Sequence, residues 1–317
     1  MSEAKTILVT GGSGYIGGMT CRLLVDAGHN VINVDRRKSD IPGVTLYPFD
    51  IDNHQLKGVI QLTKPDTIMH FAADHEVGRS MSEPGVFYWN NVSNTIALLN
   101  HAVEAGVQNF IFSSSSSVYG DIDNFPTTES TPKSPVSSYG MSKSIIEDIL
   151  PDYKRAYGLN YTALRYFNAA GADPFGRHGQ EKAATHIIAR VMEAIRDNKV
   201  FTLFGTGLPT DDGTCVRDYV HVADIAKAHC YATEQRVVPG FYNLSTGRGA
   251  SNLEIIAKCC TVSGGKPQAV VEGPTREGDP DILVANNEKF FAVSNWQNEY
   301  HIDDIVEHAW KWYTREL

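Results

Sequence analysis

The chain has 317 residues, enough for one large or two medium domains and for a substantial buried core. Its 42% hydrophobic and 21% charged content is that of an ordinary globular protein, not of a disordered or fibrous one. With 28 basic and 37 acidic side chains the formal charge is −9, which argues against a general nucleic-acid or anionic-membrane binder, since either needs a basic face.

Met1 to Lys5 runs straight into a short apolar strand, with no basic stretch, long apolar core or cleavage site, so no secretory signal is expected. Thr6 to Thr10 reads as a buried strand. Ile16, Met19, Leu23, Leu24 and Ala27 then share one helical face, with Gly28 as the C-terminal cap. Val31 to Val34 forms a second strand and finishes on Asp35. Further strand patterns cover Thr67 to Ala72, Asn109 to Ser115 and Tyr161 to Arg165, with helices at about 91–105 and 139–157 between them. This alternation is the signature of a parallel sheet flanked by helices.

After Asn168 the character changes. Residues 172–179 are rich in Gly, Pro and charge and read as a loop leaving the sheet. A helix at about 184–197, a strand at 200–204 and a turn-rich stretch at 205–213 follow. The expected architecture is a Rossmann-type doubly wound parallel sheet with a smaller α/β substrate-binding domain. Residues 1–167 and 218–247 are assigned to the first, 168–217 and 248–317 to the second, with a cleft between them.

Cys21, Cys215, Cys230, Cys259 and Cys260 make an odd set without paired spacing, which suggests neither a disulfide framework nor a zinc site. No apolar run has the length of a membrane span. The N-x-S/T sequons at Asn91, Asn160 and Asn243 are then chance matches, and the expected compartment is the cytoplasm.

Thr10-Gly11-Gly12-Ser13-Gly14-Tyr15-Ile16-Gly17 lies between the first strand and the first helix. Gly12, Gly14 and Gly17 satisfy G-x-G-x-x-G, and Gly11, Gly14 and Gly17 the related G-x-x-G-x-x-G. Such glycines allow a tight turn and close backbone approach to a pyrophosphate, which the helix N-terminus favours. Asp35 at the end of the next strand can accept hydrogen bonds from ribose hydroxyls and would repel a 2′-phosphate. That favours NAD over NADP, although Arg36 and Arg37 blunt the repulsion. Asp50-Ile51 and Phe71-Ala72-Ala73 are adenine and ribose contacts by position, or equally ordinary strand ends.

Tyr139 and Lys143 stand four residues apart on one helical face. Free tyrosine has a pKa of about 10. A nearby ammonium and a positive nicotinamide favour the phenolate and make Tyr139 a usable base. The run Ser113 to Ser117 at a strand end offers a hydroxyl to hydrogen-bond the same substrate oxygen; the alternative is a polar turn.

These blocks, TGGSGYIGG, HFAADHEVGRS, NNVSNT, FSSSSSVYG, YGMSK, LRYFNAAGADPFG, DGTCVRDYVHVADIAKAH and YNLSTGRGAS, resemble the extended short-chain dehydrogenase/reductase family over nearly the whole length. Asp212 to Val222 resembles its hexose 4-epimerase branch. The resemblance implies that Ser115, Tyr139 and Lys143 are catalytic and that NAD is held tightly and regenerated in each turnover. Tyr139 would take the 4-hydroxyl proton of a UDP-sugar. A 4-keto sugar would form, rotate and take its hydride back on the other face, interconverting UDP-glucose and UDP-galactose.

The resemblance further implies cofactor contacts from Gly11, Gly14, Tyr15, Ile16, Gly17, Asp35, Arg36, Asp50, Ile51, Phe71, Ala72, Ala73, His75, Asn90, Ser113, Tyr139, Lys143 and Tyr166. Substrate contacts fall on Ser115, Ser116, Tyr139, Asn168, His186, Ile187, Thr202, Phe204, Arg217, Arg276, Asp279 and Leu283, the two arginines holding the diphosphate. Members commonly form homodimers through a four-helix bundle, here built from the helices at 91–105 and 139–157.

His75 stands where many relatives carry lysine, and His186 where some carry asparagine. Leu283 occupies the position that governs room for the C2 substituent, so the plain hexoses are expected as the main pair, with room left for UDP-GlcNAc/UDP-GalNAc. A 4,6-dehydratase needs Asp-Glu just before V-Y-G, where this chain has Ser116-Ser117. Other nucleotide-sugar epimerases and decarboxylases are excluded less sharply. A non-catalytic NAD-binding regulator is disfavoured by the intact Tyr139/Lys143 pair. The C-terminal extension beyond the Trp310/Trp312 helix is expected to be short.

Overall fold

The computed structural model describes residues 3–122, 125–181, 186–233, 237–274 and 280–315. In chain order it begins β1 (Thr6–Thr10), α1 (Tyr15–Asp26), β2 (Asn30–Val34), β3 (Val44–Tyr47), α2 (Gln55–Thr63) and β4 (Thr67–His70). Two short helices, α3 (Val77–Ser82) and α4 (Pro84–Tyr88), lead into α5 (Asn94–Glu104). Then come β5 (Asn109–Ser115), α6 (Ser138–Tyr157) and β6 (Asn160–Tyr166). The helix expected at 91–105 starts with a π-helical turn at Trp89–Ser93 that joins α4 to α5.

The second half runs β7 (Asn168–Ala170), α7 (Ile187–Arg196), β8 (Val200–Leu203), β9 (Val216–His221), α8 (Val222–Thr233) and β10 (Gly240–Leu244). It ends with β11 (Gly249–Ser251), α9 (Asn252–Ser263), β12 (Ala269–Glu272), β13 (Ile282–Leu283), α10 (Glu288–Ser294) and α11 (Ile302–Thr314).

Seven strands form one parallel sheet in the order β10-β6-β5-β4-β1-β2-β3. Both faces are covered. From β1, Ile7 and Val9 join Leu24 of α1 and Ile225 of α8, while Leu8 joins Leu98 of α5 and Ile146 of α6 on the other side. That double burial is why the strands read as unbroken apolar runs. The order reverses between β1 and β4, which opens a crevice at the carboxyl ends of those strands.

Outside this sheet, β9 pairs with β7 and β13 in parallel and with β11 antiparallel. A separate parallel pair joins β8 to β12. Helices α7, α9 and α11 close over a second core containing Val191, Met192, Ile255 and Val306. The five cysteines are free, and among the described residues no helix is long and apolar enough to cross a membrane.

Candidate active site

The glycine loop follows β1 into the crevice. Gly11 has φ +77°, and a Cβ there would stand 2.6 Å from the Ala72 nitrogen, so only glycine passes this close to the end of β4. A Cβ on Gly17 would overlap the Gly11 carbonyl oxygen. The loop is pinned from below: Gly12 N–H donates to Asn33 Oδ1 at 2.9 Å, and Ser13 N–H to Asp35 Oδ2 at 2.9 Å. Gly14 caps α1 without a side-chain cap bond, which leaves backbone donors at the helix start for an anion.

Asp35 is buried and also accepts the Arg37 N–H at 2.8 Å. Arg37 lies 3.8 Å from that carboxylate and 3.5 Å from Glu181, and Arg36 lies 3.5 Å from Asp50. Arg37 thus faces Asp35 itself and blunts its charge, as expected, while Arg36 is turned to Asp50. Ile51 is buried; Phe71, Ala72 and Ala73 line the end of β4 half-buried, and His75 is exposed beyond them. A loop with no room for side chains, an open helix N-terminus and a carboxylate at the end of β2 fit a dinucleotide.

The end of β5, the start of α6 and the end of β6 bring Ser113, Ser115, Tyr139, Lys143 and Tyr166 together. Ser115 stands close enough to Tyr139 for its hydroxyl to favour the Tyr139 phenolate. Ser115 in turn donates to Ser117 Oγ at 3.1 Å. Lys143 is buried, donates to the Ser113 carbonyl at 2.8 Å, and lies 4.9 Å from the Phe112 ring and 5.8 Å from the Tyr139 ring. Tyr166 lies beside Ser113, which works against the rise that burial imposes on its hydroxyl, and sits 3.4 Å from His229 Nε2.

Burial dominates the electrostatics of the pair. Burial pushes the Tyr139 hydroxyl above its ordinary value, and the opposing influence is the Ser115 hydroxyl rather than the lysine. Burial lowers Lys143 itself to about 7, against the attraction of Glu147.

Two supporting residues escaped the sequence reading. Glu147, a turn beyond Lys143, is fully buried and takes hydrogen bonds from Arg165 and from Ser114 Oγ at 2.6 Å. Asn91, noted above only as a sequon, is 2% exposed. Its Oδ1 accepts the Asp74 N–H at 2.9 Å, and its Nδ2 donates to Ser142 Oγ at 3.1 Å, tying the loop after β4 to α6. An acid on the apolar face of α6 was the available signal for Glu147. Asn90, the expected contact, is half-buried and bonds Asn91.

The substrate candidates lie on other elements. Asn168 opens β7, and Arg217 is buried in β9, with Nη1 donating to the Val216 carbonyl at 2.9 Å. Leu283 pairs with Arg217 in register and is buried. Ser116 is buried in the turn after β5. His186 caps α7 just before Ile187, bonds Gln180, and is lowered to about 4 by burial and by His75. Thr202 lies on β8 and Phe204 just beyond it, with the Arg190 guanidinium 5.5 Å from the Phe204 ring. Arg276 and Asp279 lie outside the described residues. Among the described residues no cluster of three or more His, Cys, Asp or Glu could hold a metal.

Residues 7–245 match the model of the NAD dependent epimerase/dehydratase family. The chain is 41% identical to the UDP-glucose 4-epimerase of Halalkalibacterium halodurans, covering 97% of this chain and 95% of that one. It is 40% identical to the enzyme of the same name from Rhizobium meliloti, covering 99% and 98%. The crystal structure of UDP-glucose 4-epimerase from Brucella ovis in complex with NAD superposes with a TM-score of 0.93 at 36% identity, covering 98% of both chains. The Bifidobacterium longum enzyme in complex with NAD+ and UDP gives 0.90 at 33% identity, with the same coverage. By fold, site and sequence, the chain belongs to the NAD dependent epimerase/dehydratase family.

Proposed function

We propose that this protein catalyses the reversible, NAD-dependent epimerisation at C4 of UDP-glucose and UDP-galactose. The cluster of Ser115, Tyr139 and Lys143, with Lys143 Nζ bonded to the Ser113 carbonyl and 5.8 Å from the Tyr139 ring, is the observation that carries this reading. Relatives of that activity at 40–41% identity support it.

In this reading the glycine loop and the first turn of α1 hold the cofactor diphosphate, and Asp35 the adenosine ribose. Tyr15, Ile16, Arg36, Asp50, Ile51, Phe71 to Ala73, His75, Asn90 and Tyr166 complete its surroundings. Bound NAD supplies a hydride acceptor that later acts as donor. Ser115 hydrogen-bonds the sugar 4-hydroxyl and directs it at Tyr139, whose phenolate oxygen takes the proton. Lys143, beside the Tyr139 ring, would hold the nicotinamide ribose. The carbonyl formed at C4 turns over in the cleft, Tyr139 returns the proton, and C4 emerges inverted.

Arg217 and Arg276 neutralise the substrate diphosphate, with Asn168, His186 and Ile187 beside it. Thr202, Phe204 and Asp279 receive the uridine end. Ser116 in the place of a dehydratase carboxylate leaves no acid for elimination. Leu283 limits space at C2, so UDP-galactose turns over more efficiently than UDP-GalNAc; the reverse ranking would overturn that assignment. The two-domain division at 1–167 with 218–247, and 168–217 with 248–317, belongs to the same reading. So do a cytoplasmic location and a homodimer packed through α5 and α6, where Trp89 in the turn before α5 and Tyr157 at the end of α6 are each 62% exposed.

The deciding experiment is to incubate purified protein with UDP-galactose, without added NAD, and identify the sugar by NMR. UDP-glucose is expected. An unchanged substrate, or a 4-keto-6-deoxy product, would rule the reading out.

A further inference from the structure

The glycine fingerprint contains one glycine more than dinucleotide binding needs. Gly18 lies inside α1, and a Cβ on it would stand 2.6 Å from Cε1 of the His178 ring. The absent side chain makes a seat for that imidazole. His178 Nε2 is 2.8 Å from the Tyr15 carbonyl. Carbonyls only accept, so Nε2 carries the proton. His178 therefore grips the first turn of α1, whose N–H groups are the proposed diphosphate donors.

The seat has a second layer. Gly179 has no room for a Cβ, which would stand 2.5 Å from the Trp312 ring. Trp312, on α11, donates Nε1–H to the Gln180 carbonyl at 2.7 Å, and its ring centroid is 6.4 Å from that of His178. The Tyr15 ring stacks on His178 at 27°, and its hydroxyl donates to the Gly171 carbonyl at 2.6 Å. Arg177 reaches the other end of α1 through Asp26 at 3.0 Å. Segment 171–181 is thus strapped along α1 and fastened from behind by the C-terminal helix.

We propose that His178, backed by Trp312, is a positioning residue that keeps the first turn of α1 closed on the cofactor and so sets how long the dinucleotide stays bound. The inference rests on the NAD-binding reading above. A reaction that regenerates its cofactor needs such retention, because losing it while the sugar is a ketone would strand the turnover.

The test compares wild-type protein with His178→Ala, His178→Gln and Trp312→Phe. NAD content after purification is measured by acid release, and the NAD release rate by an added dehydrogenase that consumes free NAD. We expect His178→Ala to release NAD roughly ten-fold faster, as loss of a buried hydrogen bond and its packing implies. Glutamine, which keeps an N–H donor, should recover part of the difference, and Trp312→Phe should fall between. At saturating NAD, kcat should stay within about two-fold of wild type, because His178 lies behind the helix. Unchanged release from variants that melt like wild type would overturn the clamp. So would a kcat loss that excess NAD does not restore. If His178→Ala does not fold, Trp312→Phe decides by the same release measurement. Wild-type protein that holds no dinucleotide would instead sink the proposed function itself.

Discussion

Glu147 and Arg165 face each other inside the protein as a two-pronged pair, Nε to Oε1 at 2.8 Å and Nη2 to Oε2 at 2.6 Å. Arg165 also donates to the Tyr119 hydroxyl at 2.8 Å, which donates to Asn243 at 2.7 Å, so the pair joins α6 to β6 and onward to β10. Both charges are nearly or wholly out of contact with water. Glu147→Ala therefore leaves a guanidinium buried without its counter-charge, which should cost about 3–5 kcal/mol of stability. Urea unfolding measures this, and a loss below about 1 kcal/mol would show that the site relaxes around Arg165.

Tyr139→Phe removes a hydroxyl and keeps the ring. Under the proposed mechanism turnover should fall by roughly 10²–10⁴, the usual worth of a positioned proton acceptor. NAD content and melting temperature should match wild type. Retained turnover in the phenylalanine variant would eliminate Tyr139 as the base.

Lys143 gives the protein a stability that depends on pH. Its folded value of about 7 lies below the ordinary 10.5, so between these values the unfolded chain holds a proton that the folded chain has released. Stability contributed at this site therefore rises with pH through the window, and the penalty for burying the ammonium is complete below it. Lys143→Met removes that dependence. The melting temperature of wild type relative to the variant should climb between pH 6.5 and 10, by roughly the linkage slope. A flat difference across that range would contradict the assignment.

Gly17→Ala puts a methyl group onto the Gly11 carbonyl, where backbone has to move. The loop should open and the purified variant should carry little NAD, with a folded core by circular dichroism. Normal cofactor content would mean that the loop accommodates the methyl without touching the dinucleotide.

The parallel sheet was legible because strands buried on two sides, such as Ile7 to Val9, leave a mark that periodicity detects. Tyr139 and Lys143 were legible because one helix carries both. Asn91 and Glu147 were not, since each acts through partners from other elements, Asp74 and Ser142 for one and Arg165 for the other. His178 was hidden for a similar reason. Its seat is the absence of a side chain on Gly18, 160 positions away (178 − 18), inside a motif that already had an explanation. The sequence reading named the ammonium and the nicotinamide as what favours the Tyr139 phenolate because spacing shows proximity; the burial that opposes it depends on the whole fold.

Strand β9 ends at His221 and helix α8 begins at Val222, with no residue between them. Val222, Ala223 and Ala226 then pack against Met19 of α1. The strand that carries Arg217 is in effect the handle of a lever whose other arm rests on the helix beneath the glycine loop. The segment that carries Arg217 and the helix under the glycine loop therefore share one packed layer, and a shift of β9 along its axis would carry α8 against α1.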